Sequence, residues 1–390
     1  MADKQKMLFL AQLPPPSHGV TTMSLRVLQI LKGVPCLDVE QHWLGSSRSV
    51  DEIGRRDLRK IIGFARLLGW LVMLWLSGRR VEFTYQTLAP HGDAALRDLL
   101  LIALSKRIGK RALVHLHTRG LEDILAGAAL KQRLMRWGLR DSELIAITKD
   151  VAQVAAASGV FSRVHWLPNL VEDPGTPPHS TPAAGELRVG FLGHADPRKG
   201  VLRFIDAVRG MKDAGLRVRA CMAGGPSRHL SIEALCTYAR ERGVGDIVDV
   251  RGLVTPEQRD DMFAELDLFV YPTEHDLSPL VVLEAMVLET VPIVYDTGGL
   301  REMLGDEFAD HVIKPGQDDS IDRIVQLAAM YASNPASLAA AKALSRRRVL
   351  TCYSEAAYRR RLGEALGLPV PDGAATGCAD DHRAGHTQHA

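Results

Sequence analysis

Short apolar runs alternate with longer helical patterns along nearly the whole chain, and this alternation restricts the fold more than any other feature. Met7–Leu13, Val81–Tyr85, Ala112–His117, Leu144–Thr148 and Val164–Pro168 read as strands in the first half. Leu187–Leu192, Leu216–Ala223, Ile247–Gly252, Leu268–Tyr271 and Pro292–Tyr295 read as strands in the second. Strands this short, with helical segments between most of them, build parallel sheets covered by helices on both faces. Glu172–Glu186 is rich in Pro, Thr and Gly, lacks periodicity and reads as a linker. The fold class is therefore α/β: two doubly wound, Rossmann-like domains, residues 1–175 and 187–350, facing across a cleft. Residues 351–368 hold a last helix expected to pack back on the first domain, and the polar residues 369–390 read as a disordered tail.

A chain of 390 residues suffices for two such cores. Its net charge of +2 excludes a generic nucleic-acid binder and leaves electrostatic partners to local patches. The five cysteines are scattered, with no C-x-x-C pair and no metal-ligand spacing, which reads as reduced thiols in a cytosolic protein. Met7–Leu13 is too short, and too soon ended by prolines, to be a signal peptide.

One stretch carries a chemical oddity. In Asp276-Leu-Ser-Pro-Leu-Val-Val-Leu-Glu284-Ala-Met, Ser278 suits an N-cap and Pro279 the first helical position, so a helix is expected through Leu288. Glu284 is the lone carboxylate among apolar residues of that helix, and a buried carboxylate needs a cation, solvent or a ligand's hydroxyls. The helix start at Ser278, Pro279 and Leu280 offers backbone N–H groups to an anion. Hydroxyls and phosphates together suit a nucleotide sugar. The loop Gly193-His194-Ala-Asp-Pro-Arg198-Lys199-Gly200 places two cations at a helix N-terminus, against the dipole, which makes sense if an anion sits there. A plain solvated loop is the competing reading. Ala223-Gly224-Gly225 and Thr297-Gly298-Gly299 end two further strands with tight loops. In the first half, Pro14-Pro-Pro-Ser-His18-Gly19 follows the first strand without forming a dinucleotide fingerprint, and a helix is expected from Thr21 or Thr22. His115 and His117 share one strand face, with His117 at the strand's end, where a cleft residue would be; taken alone, the hydrogen-bonded structural histidine is the better reading of each.

Together these pieces resemble the retaining glycosyltransferase family 4, of GT-B fold. The resemblance rests on Pro279–Met286 with Gly298-Gly299 following, on Lys199-Gly200 and on Pro168-Asn169. It implies that Glu284 holds the donor's ribose hydroxyls, that Asp276 contacts the transferred sugar, and that Lys199 neutralises the diphosphate. It implies further that His18, Gly19, His194 and Gly224 line the donor site and that His117 touches the sugar near the reacting centre. The implied reaction is a front-face retaining transfer from a nucleoside-diphosphate sugar, with no metal and no cofactor. Three positions depart from the family pattern. Asp276 replaces Glu, His194 replaces an Arg that Arg198 is placed to substitute, and Glu289 stands where a small glycine is usual. Glu274 is an alternative partner for the acid pair. A non-catalytic binding protein with a decayed site, and a sugar-nucleotide epimerase on the same fold, are the competing functions.

Arg55-Arg56-Asp57-Leu58-Arg59-Lys60 precedes the apolar stretch Ile61–Leu76, and Arg79-Arg80 follows it. Interrupted by Arg66 and carrying Trp70 and Trp75, it is short for a membrane span. It suits an interfacial helix on an anionic membrane surface. The expected acceptor is then a lipid-linked saccharide for bacterial-type polysaccharide or glycolipid assembly, used at the cytosolic face of the membrane.

Overall fold

The computed structural model describes residues 4–15, 18–43, 58–175, 185–316 and 319–369. Most of the expected linker, the Arg55-Arg56-Asp57 run and the expected tail lie outside these residues. The first sheet contains β1 (Gln5–Ala11), β2 (Leu37–Trp43), β3 (Val81–Leu88), β4 (Gly109–Leu116), β5 (Glu143–Ala146) and β6 (Arg163–Trp166) in the order β2-β1-β3-β4-β5-β6. The second contains β7 (Glu186–Leu192), β8 (Arg217–Ala223), β9 (Val248–Val250), β10 (Leu268–Tyr271), β11 (Val291–Tyr295) and β12 (Val312–Ile313) in the order β12-β11-β10-β7-β8-β9. All pairings are parallel.

All ten expected strands form, with ends shifted by a few residues. The two that the sequence reading missed are edge strands. In β2, Leu-Asp-Val-Glu-Gln-His-Trp, acids and amides interrupt the apolar pattern, and β12 has only two residues. An edge strand is half exposed, so its residues carry a weaker apolar signature.

Register sorts the first sheet into two faces. Leu8 and Leu10 align with Thr84 and Gln86, which align with Ala112 and Val114. This face is covered by the helices Leu58–Leu76, Gly92–Ile108 and Leu130–Leu139, through Leu71, Leu101, Ile102, Met135 and Leu139. Met7, Phe9, Phe83 and Tyr85 point the other way. They pack under the helix Gly19–Lys32 and under Tyr358, Leu362 and Leu366 of the last helix, Glu355–Leu366. The second sheet builds one large core around Val189, Phe191, Phe269 and Val270. Val171, whose N–H bonds the Tyr353 carbonyl at 3.0 Å, and Tyr353 itself both join that core. The chain's two crossings between sheets are thus tied together.

In each sheet the strand order reverses once, between β1 and β3 and between β7 and β10. A parallel α/β sheet opens a crevice at the carboxyl end of such a switch point. In the second sheet it is bounded by the loop after β7, which carries His194 to Lys199, and the loop after β10, which carries Thr273 to Ser278.

Candidate functional site

The two loops at the β7/β10 switch meet at Asp276. The Lys199 ammonium pairs with Asp276 Oδ1. Asp276 Oδ2 accepts from the Tyr271 hydroxyl at 2.9 Å and the Thr273 hydroxyl at 2.7 Å. Burial and the adjacent carboxylate push the Tyr271 phenol well above its ordinary range, so it stays protonated and donates. Tyr271 and Thr273 were not singled out from sequence, although Thr273 lies three residues before Asp276. Their effect is to fix a short aspartate in one orientation next to the cation.

Lys199 reaches this point because the chain turns sharply behind it. A 3-10 turn over Pro197–Lys199 starts with Asp196 accepting from the Arg198 N–H at 2.9 Å and ends at Gly200, with φ of +87°. Only glycine adopts that conformation cheaply, and a Cβ there would strike the Pro272 carbonyl. Arg198 is engaged within its own loop. Its guanidinium folds back onto Asp196 at 2.7 Å and holds that carboxyl down at about 2. Glu274 is not a partner of the acid pair, because Arg203 takes it at 2.6 Å. His194 lies in the loop pressed against the next one: the Ala195 N–H bonds the Gly225 carbonyl at 2.9 Å, and Gly224, with φ of +140°, has no room for a Cβ beside the Gly193 carbonyl. Packing between loops therefore accounts for the glycine at 224 without a ligand.

Glu284 is buried in the helix Leu280–Val287, as the apolar pattern required. Its partner is Arg259 of the helix Pro256–Glu265, whose Nη1 donates to Glu284 Oε1 at 2.9 Å. Burial raises the Glu284 pKa, while Arg259 and the more remote Arg26 pull it back and Asp260 adds to the rise. Among the described residues no hydrogen-bond donor engages Glu284 Oε2. Arg259 was missed in the sequence, where nothing in its spacing links it to position 284. The helix begins one residue later than expected. Pro279 occupies the capping position, and Ser278 is held instead by Asn169 of the first domain, whose Nδ2 donates to the Ser278 carbonyl at 2.9 Å. Leu280 packs against the first domain's core.

The first domain closes over this loop. Arg119, just past β4, donates to the Asp276 carbonyl at 3.0 Å, and the Lys149 N–H bonds Glu302 at 2.6 Å. His117 lies immediately past β4, with Nε2 buried and unpartnered, and its ring lies 3.9 Å from that of His115. Burial lowers His117 to about 4, with Asn169 opposing, so the ring is neutral at neutral pH. His115 is neutral too and is anchored by the Tyr85 hydroxyl at 2.6 Å. His18 precedes the helix Gly19–Lys32, which starts two residues earlier than expected; its N–H bonds the Thr21 hydroxyl at 3.0 Å. A Cβ at Gly19 would meet nothing within 4 Å, so open space surrounds that backbone. Among the described residues no group of His, Cys, Asp and Glu is arranged to hold a metal ion.

The structure brings Lys199, Asp276 and the start of the Glu284 helix together, and sets His117 and Asn169 against them from the other domain. This architecture, two parallel-sheet Rossmann-like domains, is the GT-B fold of glycosyltransferases. A sucrose-phosphate synthase structure from Thermosynechococcus elongatus aligns with TM-score 0.67 at 14% identity, covering 93% of this chain and 98% of that one. Anabaena HepE in complex with UDP-glucose aligns with TM-score 0.64 at 15% identity, covering 93% and 99%. Residues 177–337 match the family profile described as Glycosyl transferases group 1, so the second half of the chain carries a group 1 glycosyltransferase domain. The curated relative alpha-D-kanosaminyltransferase of Streptomyces kanamyceticus is 27% identical over 198 residues, which is 46% of this chain and 50% of that protein. The match thus spans about half the length of that relative.

Proposed function

We propose that the chain is a retaining glycosyltransferase that moves a sugar from a nucleoside-diphosphate sugar to a lipid-linked saccharide. The observation that carries this is the Lys199–Asp276 pair at the β7/β10 switch point, beside the N-terminus of the helix that buries Glu284. A donor laid along that crevice places its ribose on Glu284 Oε2, its diphosphate on Lys199 and the first N–H groups of the helix Leu280–Val287, and its sugar between Asp276 and His117. In the transfer, the bond from the anomeric carbon to the phosphate oxygen breaks and a bond to the acceptor hydroxyl oxygen forms on the same face. The acceptor's proton passes to the leaving phosphate. Negative charge grows on that phosphate, and preorganised donors there lower the barrier. The neutral His117 ring offers a hydrogen bond without a competing charge. The HepE complex with UDP-glucose supports a donor of this class.

The lipid-linked acceptor and a peripheral position on the cytosolic membrane face rest on the helix Leu58–Leu76. It has no acidic residue, and it exposes Ile61, Met73 and Leu76 to solvent. No described helix is long and apolar enough to cross a membrane. One observation favours the alternative of binding without transfer: both carboxylate oxygens of Asp276 are already engaged by the protein. A panel of uridine, guanosine and adenosine diphosphate sugars in a thermal-shift and slow-hydrolysis assay tests the proposal. Stabilisation by one base and release of its diphosphate is the expected result. Stabilisation without any hydrolysis or transfer would support the binding protein.

A further inference from the structure

Three neighbouring helices, Leu58–Leu76, Gly92–Ile108 and Leu130–Leu139, cover the same face of the first sheet. The middle one touches both others, and Gly138 lies so close to Leu99 that a Cβ would collide with it. Their outward sides therefore form one continuous surface. That surface is apolar well beyond the first helix. Leu96 and Leu100, one turn apart, are exposed on the middle helix. On the third, Leu130, Leu134 and Trp137 follow one another at helical spacing, with Leu130 70% and Trp137 69% exposed. A soluble surface has no reason to align its apolar residues in this way, and such a patch marks an interaction site.

The charges on these helices decide what covers it. Arg66, Arg107 and Arg133 are exposed among the apolar residues, and the Arg107 guanidinium lies 5.9 Å over the Trp75 ring. The helices Leu58–Leu76 and Leu130–Leu139 contain no acid. The middle helix has two, Asp93 and Asp98; Asp98 is buried and paired with Arg97 at 2.7 Å. A second copy of this face would bring like charges together. An anionic bilayer satisfies both the cations and the apolar side chains, with tryptophans at headgroup depth.

We propose that the outer faces of all three helices lie on an anionic phospholipid surface, with Trp137 and Leu130 as an insertion point separate from the helix Leu58–Leu76. This rests on the peripheral-membrane reading and extends it from one helix to a plane. A plane, unlike a single helix, fixes the rotation of the domain on the bilayer and hence which way the cleft opens.

The test is flotation with phosphatidylcholine vesicles, with and without phosphatidylglycerol, using the whole chain and two variants. L130Q/L134Q/W137Q changes the third helix, and I61Q/M73Q changes the first. Circular dichroism and donor hydrolysis report folding and the donor site independently. The wild type should float only with phosphatidylglycerol, and each variant should lose at least about tenfold in partitioning. A variant with Trp137 as its sole tryptophan should be quenched by brominated lipid. If I61Q/M73Q detaches while L130Q/L134Q/W137Q floats as the wild type does, the membrane reading stands and this proposal falls. If the wild type floats with neither vesicle, both fall, while hydrolysis still judges the transferase. A dimer that L130Q/L134Q/W137Q dissociates, without vesicle binding, also overturns it.

Discussion

The two domains share an architecture but differ in how their sequences were constrained. In the second domain each glycine loop around the switch point has a local physical cause: a positive φ at Gly200, Gly224 and Gly298, or a collision that a side chain would bring. A positive φ is a requirement of a single residue, so it leaves a motif. The first domain meets the site with single side chains from two loops, His117 and Arg119 after β4 and Asn169 after β6. It also leans on a helix from the far end of the chain. The second domain is thus specified more by local backbone requirements, and the first by contacts distant in sequence. This matches the extent of the family profile, residues 177–337, set against structural similarity over 93% of the chain.

The largest effect that would sharpen this comparison is on stability. Tyr358 in the last helix is buried against Met7, Phe9 and Phe83. Tyr358→Ala should cost about 3–5 kcal/mol in urea unfolding, mainly in the first domain's transition. A change confined to the second domain would break the comparison.

In catalysis, Lys199→Ala should lower kcat by about 100–1,000-fold through loss of charge at the leaving phosphate. Arg119→Ala, outside the donor loops, should change it far less. Steady-state kinetics on both variants check this.

Arg259→Gln should raise the donor KM about tenfold, and the rise should steepen as pH falls. Burial already favours protonated Glu284, and removing the cation raises its pKa further. The sign for stability is the opposite of the usual acid. A carboxyl whose folded pKa is raised opposes folding when ionised, so its cost diminishes as pH falls through that pKa. His117 behaves in the reverse sense. Its folded pKa of about 4 means that the stability it contributes at neutral pH is lost as pH falls from about 6.5 towards 4. Urea titrations of His117→Asn against wild type across this window should show the difference shrink.

The smallest effect is at Glu289, which has φ of +62°. Glu289→Gly should stabilise the second domain by about 0.5–1 kcal/mol, seen as a modest rise in Tm.

Part of the candidate site was legible in the sequence. A lone carboxylate in an apolar helix led directly to Glu284, and Glu289, where the resemblance implies a glycine, is one of two described non-glycine residues with positive φ. What escaped reading was pairing. Arg259 lies 25 residues before Glu284, and no periodicity relates a cation on one helix to an acid on another. The same holds for Asn169 and Ser278, 109 residues apart, whose bond displaced the expected N-cap. The partner of Arg198 also escaped reading, although Asp196 is only two residues away. The edge strands β2 and β12 escaped because half-exposed backbone carries little apolar pattern.

The most direct test of the central claim is calorimetric titration of wild type and Glu284→Ala with a set of nucleoside diphosphates. Tight binding of one of them, lost by at least about tenfold in the variant, is the predicted result. Equal binding by both proteins, or none by either, would contradict a donor site built on Glu284.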